Sequence, residues 1–432
     1  MSDMSESLEK KLNEARDILI EFKGDNYSFG FGCISMVGKH TALLGKRVLI
    51  IANRSRWLSR FAGDVMDSLK ESNVEIVGWI DGARPNTPID DVNRIRDEIC
   101  MSDPDCLVVI AAGSGIDAAK AAAVLVAYGD DRYDISHFYG VGEVTRFAAD
   151  TDVRIKPIIA VETAASSGSH LTKYANVTDL RSNQKNLIVD EKIVPPRAVF
   201  DYSITKSMDS DLTLDGALDG ISHALEVYYG ATENTIEFVE KVALLAIELV
   251  VYALPMIVDD PENLRLREML GLATDLGGYC IMLGATNGGH LTSFSLVDIL
   301  SHGRACGIAN VYYTVFFASK IQRQLRSLAE IFKGYIPGDV SWLYGRELGE
   351  SVAQGMINFM KSLDLPTHLS EVSGFNDYHI DKAIKAAKDP KLESKLRSMP
   401  LPLNALLVDE YIAPLLEAAK MGDISLIKNF KN

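Results

Sequence analysis

The 432-residue sequence predicts an α/β N-terminal domain with a mostly parallel sheet, followed by an all-α C-terminal domain. Its length suggests two or three domains, and its hydrophobic content of 47% is ample for sizeable cores. Short apolar segments alternate with helical patterns in the first half, which is typical of a parallel sheet covered by helices. After about Asp201 the pattern changes to long helical segments. We therefore expect domains at 1–204 and 205–432.

Four short apolar segments are the predicted strands, at residues 48–52, 75–80, 106–111 and 157–161. Most are separated by helical patterns, such as the apolar series Val92, Ile95 and Ile99. The longest apolar run, residues 242–258, has only 17 residues and contains Glu248 and Pro255. A membrane span needs about 20 predominantly apolar residues, so this run is predicted to be a buried helix.

Charge, cysteine content and the first residues limit the partners and the compartment. A net charge of −15 argues against nucleic acid and anionic membranes as partners, because both would repel the chain. Five cysteines, odd in number and without motif spacing, are predicted to be reduced thiols. The charged, amphipathic N-terminal segment does not resemble a signal peptide. Together these features favour a cytoplasmic protein.

One Asp and three His in the second half stand at separations suited to a single divalent metal. Asp219 and His223 are four residues apart, which on a helix places both side chains on one face. His290 and His302 follow, in a chain with only eight His. An Asp/His set fits Zn²⁺ or Fe²⁺. A surface ion pair with two unrelated core histidines would give the same pattern, so spacing leaves both interpretations open.

A second motif, "AAGSGIDAAK" at residues 111–120, follows a predicted buried strand. Ala112 to Gly115 are predicted to form a turn with little side chain, and Ser114 with Asp117 resembles a helix capping box. The exposed amides of a helix N-terminus suit phosphate binding. The segment lacks the GxGxxG fingerprint, and an ordinary strand-to-helix turn is the alternative.

Six segments, in the same order, resemble the iron-containing (group III) alcohol dehydrogenase family of the dehydroquinate synthase-like superfamily. "AAGSGIDAAK" is similar to the family's "GGGSxxDxAK", and "DGISHALE" (219–226) is similar to "DAxxHAxE". The other four are "GARPNTP" (82–88), "ETAASSGSHLTKYANVTD" (162–179), "PPRAVFD" (195–201) and "HGRACGIAN" (302–310). The resemblance covers nearly the whole chain.

This resemblance implies two groups of site residues. Asp219, His223, His290 and His302 would be the catalytic metal site, holding Fe²⁺ or Zn²⁺. The first domain would be a nucleotide-binding domain for NAD or NADP, and its predicted cofactor residues are Asn53, Gly113, Ser114, Gly115, Asp117, Thr163, Ser167 and Lys185. Lys185 falls where family members often place a lysine near the substrate, and the alternative is a solvated loop lysine.

Four residues depart from the family pattern, and the 12-residue separation of His290 and His302 is two shorter than in many alcohol-oxidising members. His170 replaces the usual Glu. Ala111 and Ala112 stand where glycines are usual, which adds two methyl groups close to the expected phosphates. Phe294 stands four residues after His290, where many members carry another His. If the helix continues from His290, Phe294 lies one turn along and makes the substrate pocket apolar. The alternative is that Phe294 packs in the core of the helical domain.

The resemblance implies a metal-dependent alcohol dehydrogenase or aldehyde reductase that transfers a hydride between NAD(P)(H) and a small alcohol or aldehyde. The divalent ion would act as a Lewis acid on the substrate oxygen in the cleft between the domains. A homodimer or higher homo-oligomer is expected. Two alternatives remain: a superfamily enzyme acting on a phosphorylated or polyol substrate, and a catalytically silent binding protein that kept the scaffold.

Overall fold

The computed structural model describes residues 2–55, 58–130, 134–149 and 151–431 of the chain. These residues form two compact units. The sheet unit consists of Arg16–Asp209 and Glu262–Gly271, and the helical unit consists of Met1–Ala15, Ser210–Pro261 and Leu272–Asn432. The expected domain limits at 1–204 and 205–432 stay a prediction.

All strands of the described residues lie in the sheet unit. They are β1 (Tyr27–Gly30), β2 (Arg47–Ile51), β3 (Glu75–Ile80), β4 (Cys106–Ala111), β5 (Gly140–Val141), β6 (Ile158–Glu162), β7 (Tyr174–Asp179), β8 (Gln184–Val189) and β9 (Arg197–Asp201). Six of them form a parallel sheet in the order β1-β9-β6-β4-β2-β3. A smaller sheet, β5-β8-β7, contains an antiparallel β7–β8 pair.

The helices of the described residues complete both units. They are α1 (Ser2–Lys23), α2 (Val37–Ala42), α3 (Ser59–Glu71), α4 (Ile89–Ser102), α5 (Gly113–Tyr128), α6 (Glu143–Ala148), α7 (Ser210–Tyr229), α8 (Ile236–Asp259), α9 (Leu264–Leu283), α10 (Gly288–Ser293), α11 (His302–Phe317), α12 (Gln322–Ile331), α13 (Arg346–Lys361), α14 (Asp377–Ala387), α15 (Glu393–Arg397) and α16 (Ala413–Met421). A mostly parallel sheet followed by a helical region confirms the predicted fold class.

The sheet brings the ends of three strands to one edge. Parallel pairing sets Ile51 of β2 beside Val109 of β4, and Ala111 of β4 beside Glu162 of β6. Because all three strands run in the same direction, their carboxyl ends meet at that edge, where ligands of open α/β sheets bind. The segments after β2, β4 and β6 therefore start close together.

Helix α8 contains the predicted apolar run but is longer than that run. Its 24 residues make it, among the described helices, the one long and apolar enough to cross a membrane. Length therefore does not exclude a span, contrary to the sequence argument. However, 61% of its apolar window is buried, and it packs on α7 and α12. A single helix of this kind is weak evidence for a membrane protein, and its burial is typical of a core helix.

Close packing of α7 and α11 depends on one glycine. Gly303 is the second residue of α11, and a Cβ built on it would lie 1.8 Å from the Asp215 carbonyl oxygen of α7. Any side chain at this position would push the two helices apart. The glycine therefore lets His302, the first residue of α11, reach the buried face of α7.

Candidate metal and cofactor sites

The helical unit brings together all four predicted metal ligands. Helix α7 carries Asp219 and His223 one turn apart on a buried face, α10 carries His290, and α11 begins at His302. The side chains of the first three are only 5–6% exposed, whereas that of His302 is 21% exposed. The cluster is therefore accessible mainly beside His302.

One carboxylate oxygen is the common point of this cluster. Asp219 Oδ1 lies 3.7 Å from His223 Nε2, 3.7 Å from His290 Nε2 and 3.5 Å from His302 Nε2. These separations exceed those of ordinary hydrogen bonds. They are close to the spacing of about 3.4 Å between two donors that are each about 2.1 Å from the same tetrahedral ion. The residues therefore fit a divalent cation.

A sulfur that the sequence analysis did not single out also belongs to this cluster. The donor atoms of Asp219, His290, His302 and Cys306 all lie within 4.8 Å of one another. Cys306 follows His302 by one turn of α11, and its Sγ is 4.0 Å from both ring nitrogens of His302. His223 lies outside this particular group but stacks on His290, with ring centroids 4.8 Å apart. The four-residue spacing of His302 and Cys306 was a signal available in the sequence.

A buried carboxylate fixes His290. Glu226 is fully buried, and its Oε1 lies 2.7 Å from His290 Nδ1. It also accepts hydrogen bonds from the Asn287 and His290 backbone amides and from the Asn310 side-chain amide. Burial raises the pKa of Glu226, and these donors oppose the rise. A bond from Nδ1–H to this carboxylate leaves the Nε2 lone pair toward Asp219, as in carboxylate–histidine–metal triads.

The other two histidines are also suited to be neutral donors. Ser293 Oγ donates to the His290 carbonyl oxygen at 2.8 Å, so its only proton is used there. It can therefore only accept from His302 Nδ1, 3.1 Å away, which leaves the His302 Nε2 lone pair for a cation. Burial lowers the pKa of His223 to about 4, so this ring is neutral at pH 7. Sequence reasoning assigned no role to Glu226 or Ser293.

Phe294 lies beside the cluster. It is 1% exposed, and its ring is nearly parallel to that of His302, with centroids 6.1 Å apart. The Lys395 ammonium lies 5.8 Å from the Phe294 ring centroid and donates to the Thr286 hydroxyl. Burial lowers the pKa of Lys395 to about 8. Phe294 is thus both packed in the helical unit and adjacent to His302, a predicted ligand, and its place in a substrate pocket stays a prediction.

The N-terminus of α5 differs from the predicted turn. The helix already begins at Gly113, and its N-cap is Ala112, which makes no side-chain cap. The capping-box prediction is wrong, because both of its side chains bond elsewhere. Ser114 Oγ accepts from the Asn86 backbone amide at 3.1 Å. Asp117 accepts from the Ser169 hydroxyl at 2.5 Å and from a backbone amide of β7 at 2.9 Å.

The segment after β6 lies against this helix N-terminus. A Cβ on Gly113 would stand 2.2 Å from Ser167 Oγ, so only glycine permits this approach. Thr163 directly follows β6, and its backbone amide donates to Glu162 at 2.9 Å. The structure therefore brings Gly113, Ser114, Asp117 and Ser167 together, with Thr163 at the same sheet edge.

The methyl group of Ala111 is accommodated by another glycine of α5. A Cβ on Gly115 would be only 2.4 Å from Ala111 Cβ. The extra methyl therefore packs against the helix at the position where Gly115 has no side chain. This contact weakens the argument that Ala111 disturbs a bound phosphate, on which the silent-protein alternative partly depended.

Asn53 lies beside a cavity of 380 Å³ at the same edge. The cavity is lined by Asn53, Arg54, Ser55, Leu58, Ser59, Ala62, Met66 and Trp79. The Asn53 amide nitrogen donates to the Ala83 carbonyl at 3.3 Å, which directs the amide oxygen away as an acceptor. Arg54 donates to the Trp79 carbonyl at 3.3 Å. Arg56, a second cation close in sequence to Asn53 that would suit a 2′-phosphate, lies outside the described residues.

Lys185 is not a solvated loop lysine. It lies on β8, is 6% exposed, and pairs in register with Thr178 of β7. Thr178 N donates to Thr87 O, and the Thr87 hydroxyl donates to Ser114 O, each at 2.9 Å. The solvated-loop interpretation is therefore wrong. The register places Lys185 in the neighbourhood of the α5 N-terminus.

The chain belongs to the iron-containing alcohol dehydrogenase family. The family model "Iron-containing alcohol dehydrogenase" matches residues 25–202, and "Fe-containing alcohol dehydrogenase family, C-terminal" matches residues 213–400. The first match contains every predicted cofactor residue, and the second contains all four predicted metal ligands.

Individual relatives agree with this membership. The chain is 27% identical to the NAD-dependent methanol dehydrogenase of Bacillus methanolicus, covering 83% of this chain and 90% of that protein. It is 26% identical to the NADPH-dependent butanol dehydrogenase of Clostridium saccharobutylicum, covering 76% and 80%. An archaeal halo-thermophilic alcohol dehydrogenase from a Red Sea brine pool shares the fold, with a TM-score of 0.77, 22% identity and coverage of 92% and 98%. The protein is thus an oxidoreductase of the alcohol dehydrogenase type.

Proposed function

We propose that the protein interconverts small alcohols and aldehydes with NAD(P)(H), and that Asp219, His223, His290 and His302 hold Fe²⁺ or Zn²⁺. The observation that carries the proposal is the arrangement of three imidazole Nε2 atoms 3.5–3.7 Å from one Asp219 oxygen. A divalent ion held there supplies a Lewis acid for the substrate oxygen. The three neutral rings and one carboxylate would leave the loaded site with a net charge of about plus one, which favours an anionic substrate oxygen.

The residues around the ligands would keep this site selective for a cation. Glu226 bonds to Nδ1 of His290, and Ser293 bonds to Nδ1 of His302. Both rings therefore direct the Nε2 lone pair toward the cation. The exposed edge of His302 is the side from which a substrate would enter. No separate general base is required by this arrangement.

We assign cofactor binding to the residues at the sheet edge, namely Asn53, Gly113, Ser114, Gly115, Asp117, Thr163, Ser167 and Lys185. Gly113 and Gly115 have no side chains, so the first turn of α5 does not cover its own amides. Such amides suit a pyrophosphate. The nicotinamide cofactor supplies or accepts the hydride. Relatives named for NAD and for NADPH support either nucleotide.

NAD(P)H oxidation over a panel of aldehydes is the direct test, using metal-stripped protein and protein reconstituted with Fe²⁺ or Zn²⁺. We expect turnover only after reconstitution. Turnover by the stripped protein would contradict the metal assignment, and no turnover with any metal would favour a silent binding protein. We also propose a cytoplasmic homodimer or higher homo-oligomer, and light scattering after gel filtration would reveal a monomer if this is wrong.

The residue at position 53 is expected to permit NADP. Relatives that prefer NAD often carry an Asp there, whose charge repels a 2′-phosphate. Asn53 removes that repulsion, so we predict that NADP is used at least as well as NAD. Comparison of kcat/KM for the two cofactors decides the question, and a tenfold advantage for NAD, about 1.4 kcal/mol, would contradict it. Asn53→Asp is the matched variant and should restore a preference for NAD.

Phe294 is expected to favour apolar substrates. Beside this ring a polyol would bury hydroxyls without partners, at about 1–3 kcal/mol each, whereas an alkyl chain gains from the contact. We predict that medium-chain or aromatic primary alcohols are preferred over glycerol. Equal kcat/KM values for butanol and glycerol would reject the prediction. Phe294→Leu should keep the preference and Phe294→Ala should weaken it, so an unchanged profile in the alanine variant also counts against it.

A further inference from the structure

Cys306 has a position that the proposed set of four ligands does not use. It lies on α11 one turn after His302 and is fully buried. Of the five cysteines, Cys306 is the one that belongs to a group of possible metal ligands within the described residues. Its thiol therefore faces an Asp/His cluster.

The distances allow the sulfur to act as a donor. A sulfur and a nitrogen bound to the same tetrahedral ion, at about 2.3 and 2.1 Å, lie about 3.6 Å apart. Cys306 Sγ is 4.0 Å from His302 Nε2, and it lies within 4.8 Å of the donor atoms of Asp219 and His290. The separation from His302 exceeds the tetrahedral spacing by about 0.4 Å, so a small rotation of the Cys306 side chain would bring the sulfur toward a shared ion.

We propose that the Cys306 thiolate is a further ligand of the divalent ion, in addition to the four ligands proposed above and on the side of the cluster where Asp219, His290 and His302 lie. The proposal rests on the metal site proposed above. On binding, the sulfur forms a bond to the ion and its proton is released to solvent. No oxidation or reduction takes place. A second anionic donor lowers the net charge of the loaded site from about plus one to about zero.

This ligand has a consequence for the choice of metal. Carboxylate and imidazole accept both ions but already bind Zn²⁺ somewhat more tightly than Fe²⁺, and a soft thiolate donor increases this preference. The buried Lys395 ammonium interacts electrostatically with both Cys306 and Glu226, so the additional negative charge is not isolated. We expect the wild-type protein to prefer Zn²⁺ over Fe²⁺ and Cys306→Ser to reduce the ratio of the two affinities by about tenfold.

The absorption spectrum of the Co²⁺-loaded full chain tests the ligand directly and does not depend on activity. Thiolate bonded to Co²⁺ gives an intense near-ultraviolet charge-transfer band, whereas the weaker visible bands report bound Co²⁺ whatever its ligands. We expect both in the wild type. Cys306→Ser should retain the visible bands and lose the charge-transfer band. Cys280→Ser, which changes a buried cysteine of α9 in the same unit, should retain both.

The outcomes separate this proposal from the metal site itself. Visible bands without a charge-transfer band in the wild type would overturn the role of Cys306 and leave the Asp/His site intact. Absence of all Co²⁺ bands, with no metal by elemental analysis, would overturn the proposed metal site. A charge-transfer band that persists in Cys306→Ser would also reject Cys306. Circular dichroism checks that each variant is folded.

Discussion

His302→Ala is expected to abolish both metal binding and turnover while the chain stays folded. His302 Nε2 lies 3.5 Å from Asp219 Oδ1, and the ring lies next to Cys306, so its loss removes one donor and opens the site to water. A Lewis acid supplies several kcal/mol to such reactions, and each 1.36 kcal/mol is a factor of ten. Turnover should therefore fall by about a thousandfold or more. Elemental analysis of the purified variant is the accompanying measurement.

His368→Ala provides the matched control for this experiment. His368 belongs to the same unit, but its ion-pair partner is Glu371. The control should keep its metal and its activity. Near-stoichiometric metal in purified His302→Ala would refute the ligand assignment.

Glu226→Gln is expected to weaken metal binding by about 10–100-fold, although Glu226 is not a proposed ligand. Both carboxylate oxygens accept hydrogen bonds, from Asn287, Asn310 and His290. Glutamine has one acceptor oxygen, so its NH₂ group would face donors in a fully buried site. Such a mismatch also costs about 1–3 kcal/mol of folding free energy. Metal affinity by chelator competition and thermal unfolding measure the two effects.

The comparison variant is Glu417→Gln on α16 in the same unit, where the exposed carboxylate pairs with Lys420. It should lose little stability, because exposed ion pairs contribute about 1 kcal/mol or less, and its metal affinity should not change. An unchanged metal affinity in Glu226→Gln would show that His290 is oriented by the backbone alone.

β2, β4 and β6 were predictable because burial on both faces leaves a continuous apolar run. β3 and β4 have the predicted bounds, and β2 and β6 are shifted by one residue. β1, β5, β7, β8 and β9 were missed. β7 and β8 carry polar residues such as Asn176, which is half-buried, and Lys185, which is buried, and these strands pack on each other and on neighbouring elements such as α5 and β5. Their burial depends on tertiary contacts that periodicity does not report.

At the candidate sites, spacing and resemblance pointed to the proposed ligands but not to the residues that would orient them. Asp219 and His223 follow from helical spacing. Glu226 lies three residues beyond His223, yet its contact with His290 depends on how α10 packs against α7. The start of α5 was predicted incorrectly because Gly113 and Gly115 suggested a turn. Their lack of side chains instead allows contact with Ser167 and Ala111.

The assignment of the two residue sets to separate units has a consequence for how such enzymes diversify. Every proposed metal ligand lies in the helical unit, and every proposed cofactor residue lies in the sheet unit. A lineage could therefore change its metal through substitutions in the helical unit, and its nucleotide through substitutions in the sheet unit. The two kinds of substitution would lie in different hydrophobic cores. Selection could act on metal choice and nucleotide choice independently. Recombination near residue 209 would transfer the proposed metal ligands or the proposed cofactor residues as a nearly complete set.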